Sequence, residues 1–370
     1  MIGEIRDRET MTAAISYALS GHLVLSTLHA NNSYHALGRI LSFYAPEARP
    51  ALLADLAAGL RAIVSQRLVR SVAGGRGILD MDARSTALAL AEAFGGTFAG
   101  AATVNVIIPT AQLLGITRAY VGPRVDLFAG TVTADAVETS AQALANAKGV
   151  SGSFGVSVSV FNALATASRE TEAFVGHHSV LDLGGSSITL RAQTVLGVPM
   201  AKATIIGGSA SMIGVSVYST IARVGQLDPI NAGSQASATR AYVDDNASVT
   251  ARNLTLDADA NTSADAEATT ARLAFIGLGK SDVTATAAHD TEAYVGRDVR
   301  LLLTGALVLD ADAITTADAD ILNVTIDGIS LNALTISTIV DSDTRAFIGE
   351  GGDIDAVSVS VTADAVHNVL

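Results

Sequence analysis

The hexapeptide TRAYVG at residues 117–122 returns as TEAFVG at 171–176, TRAYVD at 239–244, TEAYVG at 291–296 and TRAFIG at 344–349. Its aromatic residue falls at Tyr120, Phe174, Tyr242, Tyr294 and Phe347, at intervals of 54, 68, 52 and 53 residues. The unit is thus about 53 residues long, with one insertion of roughly 15 residues around QLDPINAGSQ. A fixed period of this length marks a repeat architecture, in which each unit buries its apolar face against its neighbours.

A second segment supports the same period. ILDMDARSTA (78–87), LTLDADANTSA (254–264) and LVLDADAITTA (307–317) are versions of one stretch, and TVTADAVETSA (131–141) is a looser version. The chemistry between these anchors is that of strands. VSGSFGVSVSVFNALATA alternates Val with Ser or Gly, and TADADILNVTI sets carboxylates on alternate positions. Alternation places Val, Ile and Leu on one face and Asp, Thr and Ser on the other. Ala-rich runs such as SADAEATTARLA show no 3.6-residue period, so they are read as strand.

Composition agrees. Apolar residues make up 49% of the 370, aromatics only 4%, and Trp is absent. Such a core is built from Ala, Val, Leu and Ile in thin layers. The expected fold is mainly β: a parallel β-helix or β-solenoid repeat array over residues 77–370, preceded by a small α/β piece over residues 1–76. The recurring aromatic is expected to stack internally once per repeat, in preference to forming a solvent-exposed ladder for ligand contact. The join between the two parts is expected near residues 71–78.

Residues 1–76 differ in charge and in pattern. They hold 8 Arg and no Lys against 5 Asp plus Glu, a net of +3. Residues 77–370 hold 15 basic and 31 acidic groups, a net of −16, which argues against a nucleic-acid partner. RETMTAAISYALSG places Met11, Ile15, Ala18 and Leu19 on one helical face, with Gly21 as a stop. HLVLSTLHA reads as a short buried strand. SYHALGRILSFY and RPALLADLAAGLRAIVSQRLV return to helical spacing, with Pro50 near a helix start.

Residues 2–70 resemble the ATPases of the type II/IV secretion superfamily that drive pilus retraction and twitching motility. IGEIRDRET resembles their Walker B segment, GHLVLSTLHANN their histidine box, and SQRLV a segment near the end of their core. The resemblance implies a P-loop ATPase fold, ATP and Mg as cofactors, and hexameric assembly. It carries Glu4 onto the Walker B glutamate that polarises the attacking water. It carries His22 and His29 onto histidine-box positions near the phosphates. The phosphate-binding motif G-x-x-x-x-G-K-[ST] occurs nowhere in the sequence. The chain is therefore expected to carry only the tail of such an enzyme, to bind no cofactor and to hydrolyse no ATP alone. Glu4, His22 and His29 are then expected to be inactive: Glu4 a solvated carboxylate at a helix start, the histidines polar residues flanking a strand. Residues 77–370 resemble the repeats of large filamentous-haemagglutinin-like bacterial adhesins, which implies a structural or adhesive role.

Other chemistry finds little support. No Cys is present, which excludes disulfides and thiolate metal sites. GLGKSD at 277–282 is a lone partial calcium-loop match, and aspartate rows on strands are ordinary solvated faces. His177 and His178, as strand neighbours, are expected to point to opposite faces. No G-x-S-x-G turn supports a hydrolytic triad. No membrane-spanning run and no signal peptide is visible. The resemblances imply a cytoplasmic place for the first part and the cell surface for the second. Three readings stand: a structural adhesin-like array behind an inert ATPase remnant, an ATP-binding motor with an appended array, and a chain that is not a natural functional unit but a frame joined by misassembly, a gene remnant or an artificial sequence. An array without an obvious terminal cap is also expected to self-associate end to end.

Overall fold

The computed structural model describes residues 4–30, 33–60, 63–69, 78–225 and 237–370. The expected join near 71–78 lies almost wholly outside the described residues, as does the QLDPINAGSQ insertion.

Among the described residues of the first part are three α-helices, α1 (Arg8–Leu19), α2 (Ser33–Ser42) and α3 (Arg49–Gly59). Asp7 caps α1 by accepting from the Thr10 amide at 2.8 Å, and Gly21 beyond its end adopts φ +87°. Ile5, Met11, Ala14, Ile40, Leu52 and Leu56 meet in a small core. Three expectations fail here. Leu19 is not on the buried face; Ala14 takes that place, and Leu19 is about half exposed. HLVLSTLHA is not a buried strand: among the described residues its one ladder contact is the Thr27 bridge to Glu4, and Leu23 is 82% exposed. A strand with one bridge leaves most of its backbone to water and has no sheet face to bury. The helical spacing expected through SQRLV also ends early. Leu60 is extended after α3, and Val64–Val69 pairs antiparallel with Ile78–Ala99, Val69 opposite Ile78.

Strands dominate the rest. Among the described residues they form a 14-stranded and a 5-stranded sheet. Within the repeat region every pairing is parallel and joins segments one repeat apart. Tyr242 stands opposite Phe174 on one side and Tyr294 on the other. Leu79, Val132, Ile188, Leu254, Leu307 and Val359 form one continuous column. That column exposes two further copies of the second anchor, Ile188–Val195 and Ser358–Val369.

The interior holds two apolar clusters. One is built on Val, Leu and Ile, including Val132, Leu190, Leu256 and Leu309. The other is largely Ala, including Ala143, Ala165, Ala203 and Ala266, all fully buried. Small side chains let the layers approach closely. A Cβ on Gly149 would lie 2.7 Å from the Phe161 ring and 2.8 Å from the Gly95 carbonyl oxygen. The same crowding inverts the expected alternation in VSVSV. Ser157 and Ser159 point inward, both hydrogen-bonded to Ser151, while Val156 faces outward. Ser fits where Val is too wide, and its hydroxyl is satisfied by a neighbour.

Each repeat turns at a fixed point. Arg124, His178, Asn246, Asp298 and Gly351 all adopt positive φ, between 53° and 74°, four residues after the recurring aromatic. His177 and His178 lie at this turn, so they do not splay across a strand. Their Nδ1 atoms are 3.0 Å apart.

Candidate functional site

The single bridge between Glu4 and Thr27 brings two of the three sequence-derived candidates together. His29 Nε2 lies 2.9 Å from Glu4 Oε1, and Arg6 Nε donates to Glu4 Oε2 at 2.7 Å. The Arg6 guanidinium holds the Glu4 carboxyl below its ordinary range. His22 is not part of this group. Its Nδ1 lies 2.9 Å from Ser20 Oγ just after α1, and its ring meets Tyr17 edge to face.

Both Glu4 oxygens are thus engaged by cations or cation-forming groups. A nucleotide site needs more than that: consecutive backbone amides at a strand-to-helix turn and a lysine. Among the described residues no such cradle stands beside Glu4. The G-K-S tripeptide at 279–281 lies inside the strand Leu254–Ala287. A Cβ on its Gly279 would lie 2.5 Å from both Arg272 and Asn332 side-chain atoms, and Lys280 pairs with Asp282 at 2.5 Å. That segment cannot wrap a phosphate. Among the described residues no group of three or more His, Asp or Glu side chains is placed to hold a metal ion.

The repeats contain a feature that the sequence reading missed: a buried polar seam. Glu138 is fully buried and accepts from Arg169 Nε at 2.9 Å and Ser85 Oγ at 2.6 Å. Burial pushes its carboxyl up, while Arg169 and the Ser85 and Thr117 hydroxyls pull it down. A register shift after Ser85, opposite Glu138, marks the corner where this side chain turns inward. Further along, His289 is completely buried. Its Nδ1 lies 2.7 Å from Ser237 Oγ, and its Nε2 lies 2.8 Å from Thr239 Oγ1. Thr239 donates onward to Thr194, and Thr194 to Thr171. Ser237 Oγ in turn donates to the Arg169 carbonyl oxygen at 3.1 Å. Burial pushes the imidazole down to about 3. Sequence held one signal for this seam: Ser, Thr and His at positions whose phase is inward.

The outer face carries a ring ladder. Tyr120, Phe174, Tyr242, Tyr294 and Phe347 stack face to face, with centroids 4.8–5.0 Å apart and planes within 5° of parallel. The expected stacking is present, but outside rather than in the interior. The inward neighbours are Ala and Val, such as Ala241 and Val243, both fully buried.

Comparison with known proteins marks the N-terminal 108 residues, which take in the first part and run past residue 76. Residues 1–108 match the family described as type II/IV secretion system protein. The type IV pilus ATPase PilU of Pseudomonas aeruginosa is 51% identical over 69 residues, 19% of this chain and 18% of that protein. The type IV pilus retraction ATPase PilT of the same organism is 33% identical over 76 residues, 20% of this chain and 22% of its own. Its type II secretion system protein E is 46% identical over 70 residues, 19% of this chain and 13% of that protein. The chain thus spans about a fifth or less of the length of these curated relatives. No solved structure matches it. Among the described residues no helix is long and apolar enough to cross a membrane.

Proposed function

We propose that the chain is a non-catalytic, structural protein: an adhesin-like β-solenoid over residues 77–370 behind a type IV pilus or type II secretion ATPase remnant over residues 1–76. The observation that supports the solenoid most strongly is the parallel register at one-repeat spacing, which runs unbroken along the Leu79-to-Val359 column. Each repeat then adds one coil, and the coils stack into a stalk. A stalk of this kind presents its outer faces for contact and needs no catalytic centre.

For residues 1–76, sequence kinship to pilus and secretion ATPases supports the ATPase-derived part of this reading. Purified chain is expected to hydrolyse ATP no faster than its Glu4→Ala variant, while far-UV circular dichroism is dominated by β structure. Hydrolysis that depends on Glu4 would overturn the non-catalytic reading. A mainly helical spectrum would overturn the solenoid. The contact between Glu4 and His29 favours a second reading, an ATP-binding motor element with an appended array. The same hydrolysis assay separates the two.

A further inference from the structure

At one corner of the repeat the strands fold back sharply. Ser151 Oγ lies 3.0 Å from Ser157 Oγ and 2.6 Å from Ser159 Oγ. On the next rung Ser209 Oγ lies 3.4 Å from Ser216 Oγ. The chain before the bend is thus back to back with the chain after it, one serine pair apart. Segments 148–160, 206–217 and 269–280 together form a thin wedge.

The wedge reverses the usual polarity. Its inside holds Ser151, Ser157, Ser216, Thr270 and Arg272, all buried, the last paired with Asp327 at 2.6 Å. Its outside is hydrocarbon. Val150, Ile206 and Leu273 face out before the bend, and Val156, Ile213 and Leu278 after it. Each of these six is paired on both sides, so its exposure comes from its direction and not from a missing neighbour. At the bend itself Phe154 is 87% exposed, Phe275 62% and Met212 57%. Polar groups inside and apolar side chains outside, with the backbone satisfied by the ladder, is the order of strands that face lipid. In water the same order leaves apolar area hydrated.

Shape and charge name the occupant. A folded protein, or a second copy of this chain, could cover one side of a wedge. A bilayer yields to it and covers both sides and the rim. The charged side chains of the three segments are Arg272, held by Asp327, Lys280, paired with Asp282 at 2.5 Å, and Lys148. Beside the wedge Lys202 is held by Asp265 and Glu267 at 2.6 and 3.2 Å. Among the described residues of the wedge no basic cluster draws an anionic headgroup, and residues 77–370 carry 15 basic against 31 acidic groups. We propose that this wedge inserts into the surface of a zwitterionic lipid bilayer, with Phe154, Met212 and Phe275 entering first. The inference rests on the stacked-repeat reading given above and adds a membrane-contact surface to it.

The chain contains no tryptophan, so Phe154→Trp places a single reporter at the rim of the full chain. Phe128→Trp places one outside the wedge, at another ring that is 68% exposed. With phosphatidylcholine vesicles the first should shift its emission to the blue and be quenched by brominated acyl chains, while the second stays unchanged. Partitioning onto vesicles should fall at least about tenfold when Phe154→Ser and Phe275→Ser are combined, and should not change with Phe128→Ser. Added phosphatidylserine should not strengthen it, and high salt should not weaken it. Absence of the shift, equal partitioning of the double variant, or a requirement for anionic lipid overturns the proposal. So does an oligomer in sedimentation that the double variant abolishes while vesicles stay unbound, since a second copy then covers the wedge. Circular dichroism of the same samples separates the two levels. A β spectrum without vesicle binding sinks the membrane contact alone, whereas a helical spectrum sinks the stacked-repeat reading.

Discussion

Tyr242 stacks on Tyr294 across 52 residues of chain, with centroids 4.8 Å apart and planes within 4° of parallel. The offset equals one repeat, so the contact reports the register of the stack. Tyr242 also stacks on Phe174 on its other side. Tyr242→Ala removes both contacts and is expected to cost about 2–3 kcal/mol, while Tyr242→Phe stays within about 0.5 kcal/mol. Urea unfolding midpoints at matched slope measure both.

The Glu138–Arg169 pair makes the second prediction. Both side chains are almost completely buried. Arg169→Met leaves a carboxylate without its cation in the interior and should lower stability by about 3–5 kcal/mol. Adding Glu138→Gln removes the stranded charge, so the double variant should be more stable than Arg169→Met alone. A double variant at the sum of the two single losses would show that the residues act independently.

His289 makes the chain acid-sensitive. Its folded-state value of about 3 lies below the ordinary 6.5. Between those values the unfolded chain holds a proton that the folded chain lacks. Stability is therefore full above about pH 6.5 and is lost as pH falls, by about 1.4 kcal/mol per unit within the window. His289→Asn lacks this term. The stability gap between the two proteins should be widest at neutral pH and should narrow toward pH 4. A gap that does not change with pH contradicts the buried neutral imidazole.

Positive φ makes opposite predictions at two positions, one at the repeated turn and one outside it. His178 holds φ +58° against the steric preference of a residue with a Cβ. His178→Gly is expected to stabilise by about 0.5–1 kcal/mol. Gly225, at φ +76°, approaches the chain so closely that a Cβ would lie 1.7 Å from the Ala288 carbonyl oxygen. Gly225→Ala should destabilise by more than about 2 kcal/mol. Thermal unfolding of the two variants reads both signs.

The repeat was legible in the sequence because the T-[RE]-A-[YF] segment keeps the same phase in every copy. Its Thr and Ala face inward and its charge and ring face outward, so substitutions stay within class. The turn four residues later was hidden, since Arg, His, Asn, Asp and Gly all occupy it. ITLRAQTV escaped as a copy of the second anchor because Arg191 and Gln193 replace the aspartates. The seam escaped because Ser and Thr on a strand read as solvated until the width of the interior is known. In the first part, motif resemblance singled out Glu4 and His29 one by one, but neither their contact nor the exposed course of HLVLSTLHA was legible. An apolar run reads as buried only if a neighbouring sheet covers it.

The central claim is parallel pairing at one-repeat spacing, and the absence of cysteine makes it directly measurable. Thr250 stands opposite Leu302 in the ladder between two outward-facing positions. The paired variant Thr250→Cys with Leu302→Cys should form an intramolecular disulfide readily under mild oxidation. Thr250→Cys with Arg300→Cys is displaced by two residues along the strand, and its Cα separation should be too long for one. Cross-linking of the first pair alone is the result predicted here. Equal cross-linking of both pairs, or of the displaced pair only, would contradict the register and with it the stacked repeat.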